Sequence, residues 1–213
     1  MSAPIAIVDY GLGNLKSVLK AFAHLHAEAK LVEDPAELER APAAVLPGVG
    51  AFGDGMAGLT ARGLAEPLRA YAASGRPLLG ICLGLQLFFE RSAEAPGTAG
   101  LGLLPGEVRL FEGAGFGAQG GLKVPHMGWN ALAFARPHPL FAGLDEGAYV
   151  YFVHSYYVAA ARDEDVLARS AYGLTFCAAA GRGNVAGTQF HPEKSQKQGL
   201  RILSNFIAQT RTA

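Results

Sequence analysis

The sequence predicts an α/β fold, in which an open, twisted and mostly parallel sheet carries helices on both faces and antiparallel strands are added to it. Short apolar runs rich in β-branched residues alternate, in the first half of the chain, with segments whose apolar residues recur at helical spacing. Glycine-rich turns follow two of these runs directly. In the second half, an aromatic and β-branched alternation and a glycine hairpin predict the antiparallel additions.

The first half of the chain is predicted to form successive strand and helix units. Asn14 is suited to cap the first helix, and Gly75 to end the helix that precedes the strand leading to Cys82. Gly11 and Gly13 lack the third glycine of a dinucleotide-binding loop, so a tight turn is favoured there. The predicted elements are strands at 5–9, 29–32, 43–46 and from Pro77 to the switch at Cys82, and helices at 15–25, 35–40, from 66 and from 83.

The second half contains less regular sequence. The segment 95–121 is rich in glycine and proline around a predicted strand at 107–111, and is interpreted as an elaboration of the sheet. A strand is predicted at 148–158, a hairpin at 175–190 and a closing helix at 199–209.

Composition limits the function. Half of the 213 residues are hydrophobic and the formal net charge is zero, so nothing indicates nucleic acid or an anionic membrane as a partner. No apolar run is long enough to span a bilayer, residues 1–4 have no features of a signal peptide, and two cysteines form no disulfide framework. These features predict a soluble, cytoplasmic protein with a single domain at residues 1–213.

Cys82 is the first candidate catalytic residue. It lies where an apolar strand becomes a helix, between Gly80 and Gly84, in the pattern of a nucleophile elbow. Glycine is needed at both flanks because a Cβ atom there would collide with neighbouring backbone. Free N–H groups at the start of a helix favour a thiolate and bind an oxyanion. Taken alone, the segment is also consistent with a buried structural cysteine.

His191 and Glu193 complete the predicted constellation. Pro192 favours an extended conformation at His191, and residues two apart in an extended run point the same way, so Glu193 reaches the imidazole ring. A carboxylate on one ring nitrogen leaves the other to act as a base. His154 is a competing base, but its position in a strand before hydroxyl residues favours a role in positioning a polar ligand.

Two further segments bear on the site and its surroundings. The glycine-rich run at 47–53 follows a strand and is interpreted as an anion-binding or oxyanion-binding loop rather than a flexible connection. The run at 123–130 contains the only tryptophan, Trp129, and the adjoining proline and glycine predict a loop. Its composition is equally consistent with a core position and with a partner surface.

The segment from Gly80 to Gln86, together with His191-Pro192-Glu193, resembles the class I (triad-type) glutamine amidotransferases, whose fold is flavodoxin-like. Four other segments are similar to the glutaminase subunits of imidazole glycerol-phosphate synthases. They are Asp9-Tyr10-Gly11-Leu12-Gly13-Asn14-Leu15, Pro125-His126-Met127-Gly128-Trp129-Asn130, Phe152-Val153-His154-Ser155-Tyr156-Tyr157 and Gly187-Thr188-Gln189-Phe190-His191-Pro192-Glu193-Lys194-Ser195. The segment 95–121 contributes less to the resemblance.

The resemblance implies hydrolysis of L-glutamine to glutamate and ammonia through a thioester on Cys82. His191 would serve as the acid and base, and Glu193 would orient it. Oxyanion donors would be the backbone N–H groups of Leu83 and of the Val49–Gly50 loop. The residues expected to hold the substrate are Gly50, Gln86, Ser155 and Tyr156.

The resemblance also implies a partner, a (β/α)8-barrel cyclase/synthase subunit that receives the ammonia in histidine biosynthesis, and no metal or organic cofactor. The isolated chain is expected to be a poor glutaminase. An alternative is another ammonia-channelling synthase, such as one that forms pyridoxal phosphate. The residues expected at the partner surface are Pro125, Met127, Trp129, Asn130 and Lys194.

Overall fold

The computed structural model describes residues 3–117 and 121–210. Within them, helices α1 to α6 span Leu15–His24, Pro35–Arg40, Phe52–Ala61, Ala65–Ala73, Leu83–Leu87 and Gln196–Gln209. Strands β1 to β13 span Ile5–Val8, Ala29–Val32, Ala44–Gly48, Leu78–Cys82, Arg91–Ser92, Gly106–Leu110, His126–Ala131, Ala133–Phe134, Tyr149–His154, Tyr156–Ala160, Val166–Tyr172, Leu174–Arg182 and Val185–Thr188. Residues 118–120 of the predicted elaboration and both ends of the predicted 1–213 domain lie outside the described residues.

The main sheet is open and mixed, as the sequence predicts. Its strand order is β2-β1-β3-β4-β13-β12-β10-β6-β5, and the first five of these strands run parallel. Strands β12, β10 and β6 pair antiparallel, and β11 pairs with β12 and β8 beside this path. Strands β7 and β9 form a separate antiparallel pair. The predicted hairpin is the β12–β13 pair.

Helices cover both faces of the parallel strands because successive side chains of a strand point to opposite faces. In β1, Ile5 and Ile7 pack in one hydrophobic cluster with residues of α1 and α6. Ala6 and Val8 pack in the other cluster, with residues of α2, α3, α4 and α5. This two-sided burial explains why the strand is a continuous apolar run.

The predicted strand at 148–158 is in fact two strands, and this corrects the sequence interpretation. The strand is interrupted at Ser155. Strand β9 before it pairs with β7, whereas β10 after it pairs with β6 in the main sheet. The alternation of aromatic and β-branched residues continues across this interruption. Such an alternation depends on which side chains face the hydrophobic core, and it does not depend on which neighbouring strand forms the backbone hydrogen bonds.

Other elements also differ from the expectation. Residues 126–131, predicted as a loop, form strand β7, and β11 was not predicted. The glycine-rich run continues into helix α3, which was also not predicted. Glycine disfavours helix, but a Cβ atom at Gly58 of α3 would lie 2.5 Å from the carbonyl oxygen of Tyr10. Close packing against the Tyr10 backbone therefore requires glycine in this helix.

Candidate active site

The site forms at the carboxyl ends of three adjacent parallel strands. β4 lies between β3 and β13, with Gly48 paired to Cys82 on one side and Thr188 paired to Ile81 on the other. The Pro47–Gly50 loop, Cys82 and the residues after β13 therefore meet at one edge of the sheet, where open α/β sheets bind their ligands.

Cys82 is the last residue of β4 and immediately precedes α5, and its backbone is strained, with φ of 54° and ψ of −107°. A non-glycine residue in such a region costs about 1–3 kcal/mol. A Cβ atom on Gly84 would lie 1.8 Å from the carbonyl oxygen of Leu46, and one on Gly80 would lie 2.6 Å from the Phe88 ring. Both flanking glycines are thus required by close packing, as the sequence predicts.

His191 and Glu193 are joined as expected, by a different backbone route. Nδ1 of His191 lies 2.8 Å from Oε1 of Glu193, and both side chains are buried. His191 itself is extended, but residues Pro192–Lys194 form a 3₁₀ turn and not the predicted extended run. The backbone N–H of His191 donates to the carbonyl of Tyr151 at 2.9 Å, which fixes the ring-bearing residue against β9.

The electrostatics of His191 favour its charged form. Burial acts to lower its pKa, but the Cys82 thiol and the Glu193 carboxylate outweigh burial and raise the pKa to about 9. Within residues 3–117 and 121–210, Nε2 of His191 is buried without a formed hydrogen bond. Cys82 and Glu193 are thus the two groups that stabilise the imidazolium.

This raised pKa predicts that stability depends on pH. The unfolded pKa of histidine is about 6.5, so the charge on His191 contributes fully to stability below that pH and is lost as the pH rises through 9. We expect the difference in free energy of unfolding between the protein and a His191→Asn variant to fall over this range, by at most about 1.4 kcal/mol per pH unit. Urea titrations at pH 6.0, 7.5 and 9.5 measure it; a constant difference would contradict the assignment.

A cleft of about 340 Å³ opens beside Cys82. The cleft wall brings together seven residues that were predicted to be catalytic, to donate to an oxyanion or to bind substrate, which are Val49, Gly50, Cys82, Leu83, Gln86, Ser155 and Tyr156. Leu83 begins α5, so its N–H has no acceptor within that helix and is available to a ligand. The side chains of His191 and Glu193 are buried and are not among the residues that line the cleft.

Two residues at the site were missed from the sequence. Nε2 of Gln189 lies 3.7 Å from Sγ of Cys82, and Glu94 lines the cleft while accepting a 2.7 Å hydrogen bond from the N–H of Phe52. Gln189 directly follows β13 and lies two residues before His191, and this position at the end of a strand beside the predicted base is a usable signal. Glu94 gives no comparable signal, since it lies near the start of an irregular segment and belongs to no recognisable motif.

Of the five residues expected at a partner surface, all but Asn130 are exposed on the protein surface. Met127 and Trp129 are exposed by 63% and 43% and lie on one face of β7, so Trp129 is a surface residue and not part of the core. Nζ of the exposed Lys194 lies 6.0 Å from the ring centre of Tyr151. Pro125 also lines the cleft, and Asn130 is half-buried, with its amide donating to the carbonyl of Ala171 at 2.8 Å.

Across residues 3–117 and 121–210, no group of three or more histidine, cysteine or acidic side chains is arranged to hold a metal ion. In the same part of the chain, no helix has the length and apolar character needed to cross a membrane.

Residues 6–210 match the family of class-I glutamine amidotransferases, and the chain belongs to that family. More particularly, it is 54% identical over 202 residues to the imidazole glycerol phosphate synthase subunit HisH of Syntrophotalea carbinolica, a match covering 95% of this chain and 98% of that one. The HisH subunit of Moorella thermoacetica is 51% identical over 203 residues, with 95% and 93% covered. The resemblance drawn from the sequence is confirmed.

Solved structures agree on the fold. A glutamine amidotransferase crystal structure superimposes with a TM-score of 0.75 at 20% identity, covering 98% of this chain and all of the other. The PurLQS structure from Thermotoga maritima gives a TM-score of 0.73 at 20% identity, with 98% and 99% covered. The predicted fold class is therefore confirmed.

Proposed function

We propose that this chain is the glutaminase subunit of a two-subunit imidazole glycerol-phosphate synthase. It hydrolyses L-glutamine in the cytoplasm and delivers ammonia to a barrel-shaped synthase subunit for histidine biosynthesis, and residues 1–213 act as one domain. The observation that carries the activity is the strained Cys82 elbow beside the His191–Glu193 pair. The partner is supported by the HisH relatives, which are about half identical over 95% of the chain, and these also favour this synthase over one that forms pyridoxal phosphate.

The proposed reaction uses the three residues in turn. The Cys82 thiolate attacks the side-chain amide carbon of glutamine, and the oxyanion that forms accepts hydrogen bonds from backbone N–H groups of Leu83 and the Val49–Gly50 loop. Imidazolium His191 protonates the leaving ammonia and then takes a proton from the water that hydrolyses the thioester. Glu193 holds Nδ1 of His191, 2.8 Å away, and stabilises the positive charge of the ring.

Substrate recognition is proposed for the polar wall of the cleft. Gly50, Gln86, Ser155 and Tyr156 surround the space next to Sγ of Cys82 and would hold the amide and amino-acid ends of glutamine. Glu94 is added to this set from the structure, because its carboxylate lies in the same wall and complements the charge of an α-ammonium group.

The partner surface is proposed to be the exposed face of the β7–β9 pair. Met127 and Trp129 of β7 share one face of the pair with Tyr149 of β9, which is 60% exposed, and exposed apolar patches mark protein interfaces. Trp129 also packs edge-on against Tyr151, with ring centres 6.1 Å apart, and Tyr151 accepts the backbone hydrogen bond of His191. The patch therefore adjoins the proposed triad.

Mixing the chain with the barrel subunit of a HisH relative, and measuring glutamate release, tests the proposal. We expect turnover to rise strongly on mixing, and a Trp129→Ala variant to need at least about tenfold more partner for half of that rise, because large buried aromatic residues dominate interfaces. Leu31, which is 40% exposed on β2, gives the matched control Leu31→Ala, which should behave as the unaltered protein. Equal turnover with and without the barrel subunit would contradict the proposal.

A further inference from the structure

A continuous chain of buried and half-buried polar groups runs from β7 to the thiol of Cys82. Consecutive members lie within hydrogen-bond distance of one another, between 2.7 and 3.7 Å. We call it the polar chain, and its members, in order, are Asn130, His126, His154, the backbone carbonyl of Tyr156, Gln86, Gln189 and Cys82.

The Tyr156 carbonyl sets the direction of the hydrogen bonds on the histidine side, because a carbonyl only accepts. Nδ1 of His154, 2.7 Å away, must therefore carry the proton. In a neutral ring Nε2 of His154 is then an acceptor, so Nδ1 of His126, 3.1 Å away, donates to it. Nε2 of His126 is left as an acceptor for the amide of Asn130 at 3.4 Å.

Both histidines are neutral, as this direction requires. Burial lowers the pKa of His126 to about 4 and that of His154 to about 3. Their rings lie among the aromatic side chains of Phe152 and Phe176, where a charge would lack solvation. Each histidine is thus fixed in the form that carries its proton on Nδ1.

The same carbonyl sets the direction on the glutamine side. Nε2 of Gln86 donates to it at 3.1 Å and to Oε1 of Gln189 at 3.1 Å, which uses both protons of that amide. The amide nitrogen of Gln189 is then the group that donates to Sγ of Cys82. Oε1 of Gln86, which lines the cleft, remains as an acceptor and suits the ammonium group of an amino-acid substrate.

We infer that His126 is a positioning residue for glutamine hydrolysis, which acts through His154 and the Tyr156 carbonyl to hold the Gln86 amide in the orientation that receives the substrate. His126 does not line the cleft, so its influence passes through the polar chain. The inference rests on the proposed function and adds a link between substrate binding and β7, the strand that bears Met127 and Trp129.

Two variants whose new side chains are similar in size to each other isolate the hydrogen bond from Nδ1 of His126 to Nε2 of His154. His126→Asn places an amide donor near the position of Nδ1, whereas His126→Leu has no donor there; both lose the ring stacking on Tyr172 and Phe152. In the complex with the barrel subunit, we expect His126→Leu to raise KM for glutamine about tenfold with kcat within about threefold, and His126→Asn to keep KM within about threefold of the unaltered protein. An unchanged KM in a folded His126→Leu, or equal rises in both variants, would overturn the inference.

Nitrogen NMR of histidine-labelled protein provides a readout that needs no activity. We expect two histidines to carry their proton on Nδ1 and to stay neutral down to pH 5; protonation of either on Nε2 at neutral pH would break the stated direction and overturn the inference. These outcomes are distinct from failure of the proposed function, which would show as glutamine hydrolysis that does not depend on Cys82.

Discussion

Replacing Cys82 by alanine is expected to lower glutamine hydrolysis by a factor of at least about 10⁴, because the variant lacks the proposed nucleophile, which would split the reaction into two easier steps. The fold should survive, since alanine keeps the Cβ atom and removes only the sulfur of a side chain that is 7% exposed. The measurement is glutamate release by the complex with the barrel subunit, with the far-ultraviolet circular dichroism of both proteins as the check on folding.

Cys177 provides the matched control for this loss. It is buried in β12, where burial raises the pKa of its thiol to about 12, so it is unreactive near neutral pH. A Cys177→Ala variant should keep its turnover, and a glutamine analogue bearing a diazoketone should alkylate Cys82, with loss of N₂, and leave Cys177 unmodified. A Cys82→Ala variant that retains full activity would refute the catalytic assignment.

A Gly84→Ala substitution is expected to destabilise the protein by about 3 kcal/mol or more, at the upper end of what overpacking costs. The added Cβ atom would lie 1.8 Å from the carbonyl oxygen of Leu46, which belongs to the backbone of β3 and cannot rotate away as a side chain would. Either β3 or the elbow must shift, and both carry site residues. Urea unfolding measures the loss, and glutamine turnover should fall with it.

Gly53 in the first turns of α3 is the control for replacing a helical glycine. A Cβ atom there would meet only the Cβ of Ala95, at 3.4 Å, which is an ordinary contact. Because alanine is a better helix former than glycine, Gly53→Ala should be neutral or stabilising by up to about 1 kcal/mol. If Gly84→Ala unfolds at the same urea concentration as Gly53→Ala, the close approach of α5 to β3 is not a constraint on the elbow.

The parallel half of the fold and the elbow were predictable because their determinants are local. The run at 78–82 is apolar, changes to helical spacing at residue 83 and has glycine on both sides of Cys82, and these patterns specify a strand, a tight turn and a helix. The pairing of His191 with Glu193 was equally predictable, since two residues so close in sequence can reach one another without contacts from distant parts of the chain.

Strand partnership was not predictable in the same way. The break at Ser155 separates β9 from β10 without any change in the alternation of side chains, because β7 and β6 pair with them from elsewhere in the chain. The surface position of Trp129 follows from the pairing of β7 with β9. The composition of the run 123–130 was equally consistent with a core position and with an interface.

The sequence by itself therefore determined the strand-to-helix elbow at Cys82, its neighbouring glycines and the histidine–carboxylate pair, since short-range sterics and residue chemistry decide them. Only the tertiary structure decided that Gln189 reaches Cys82 across 107 residues, that Gln86 donates to Tyr156 across 70, and that His126 joins them to β7. The direction of those hydrogen bonds depends on which groups face one another in the packed core. The spacing of residues along the chain does not predict these contacts.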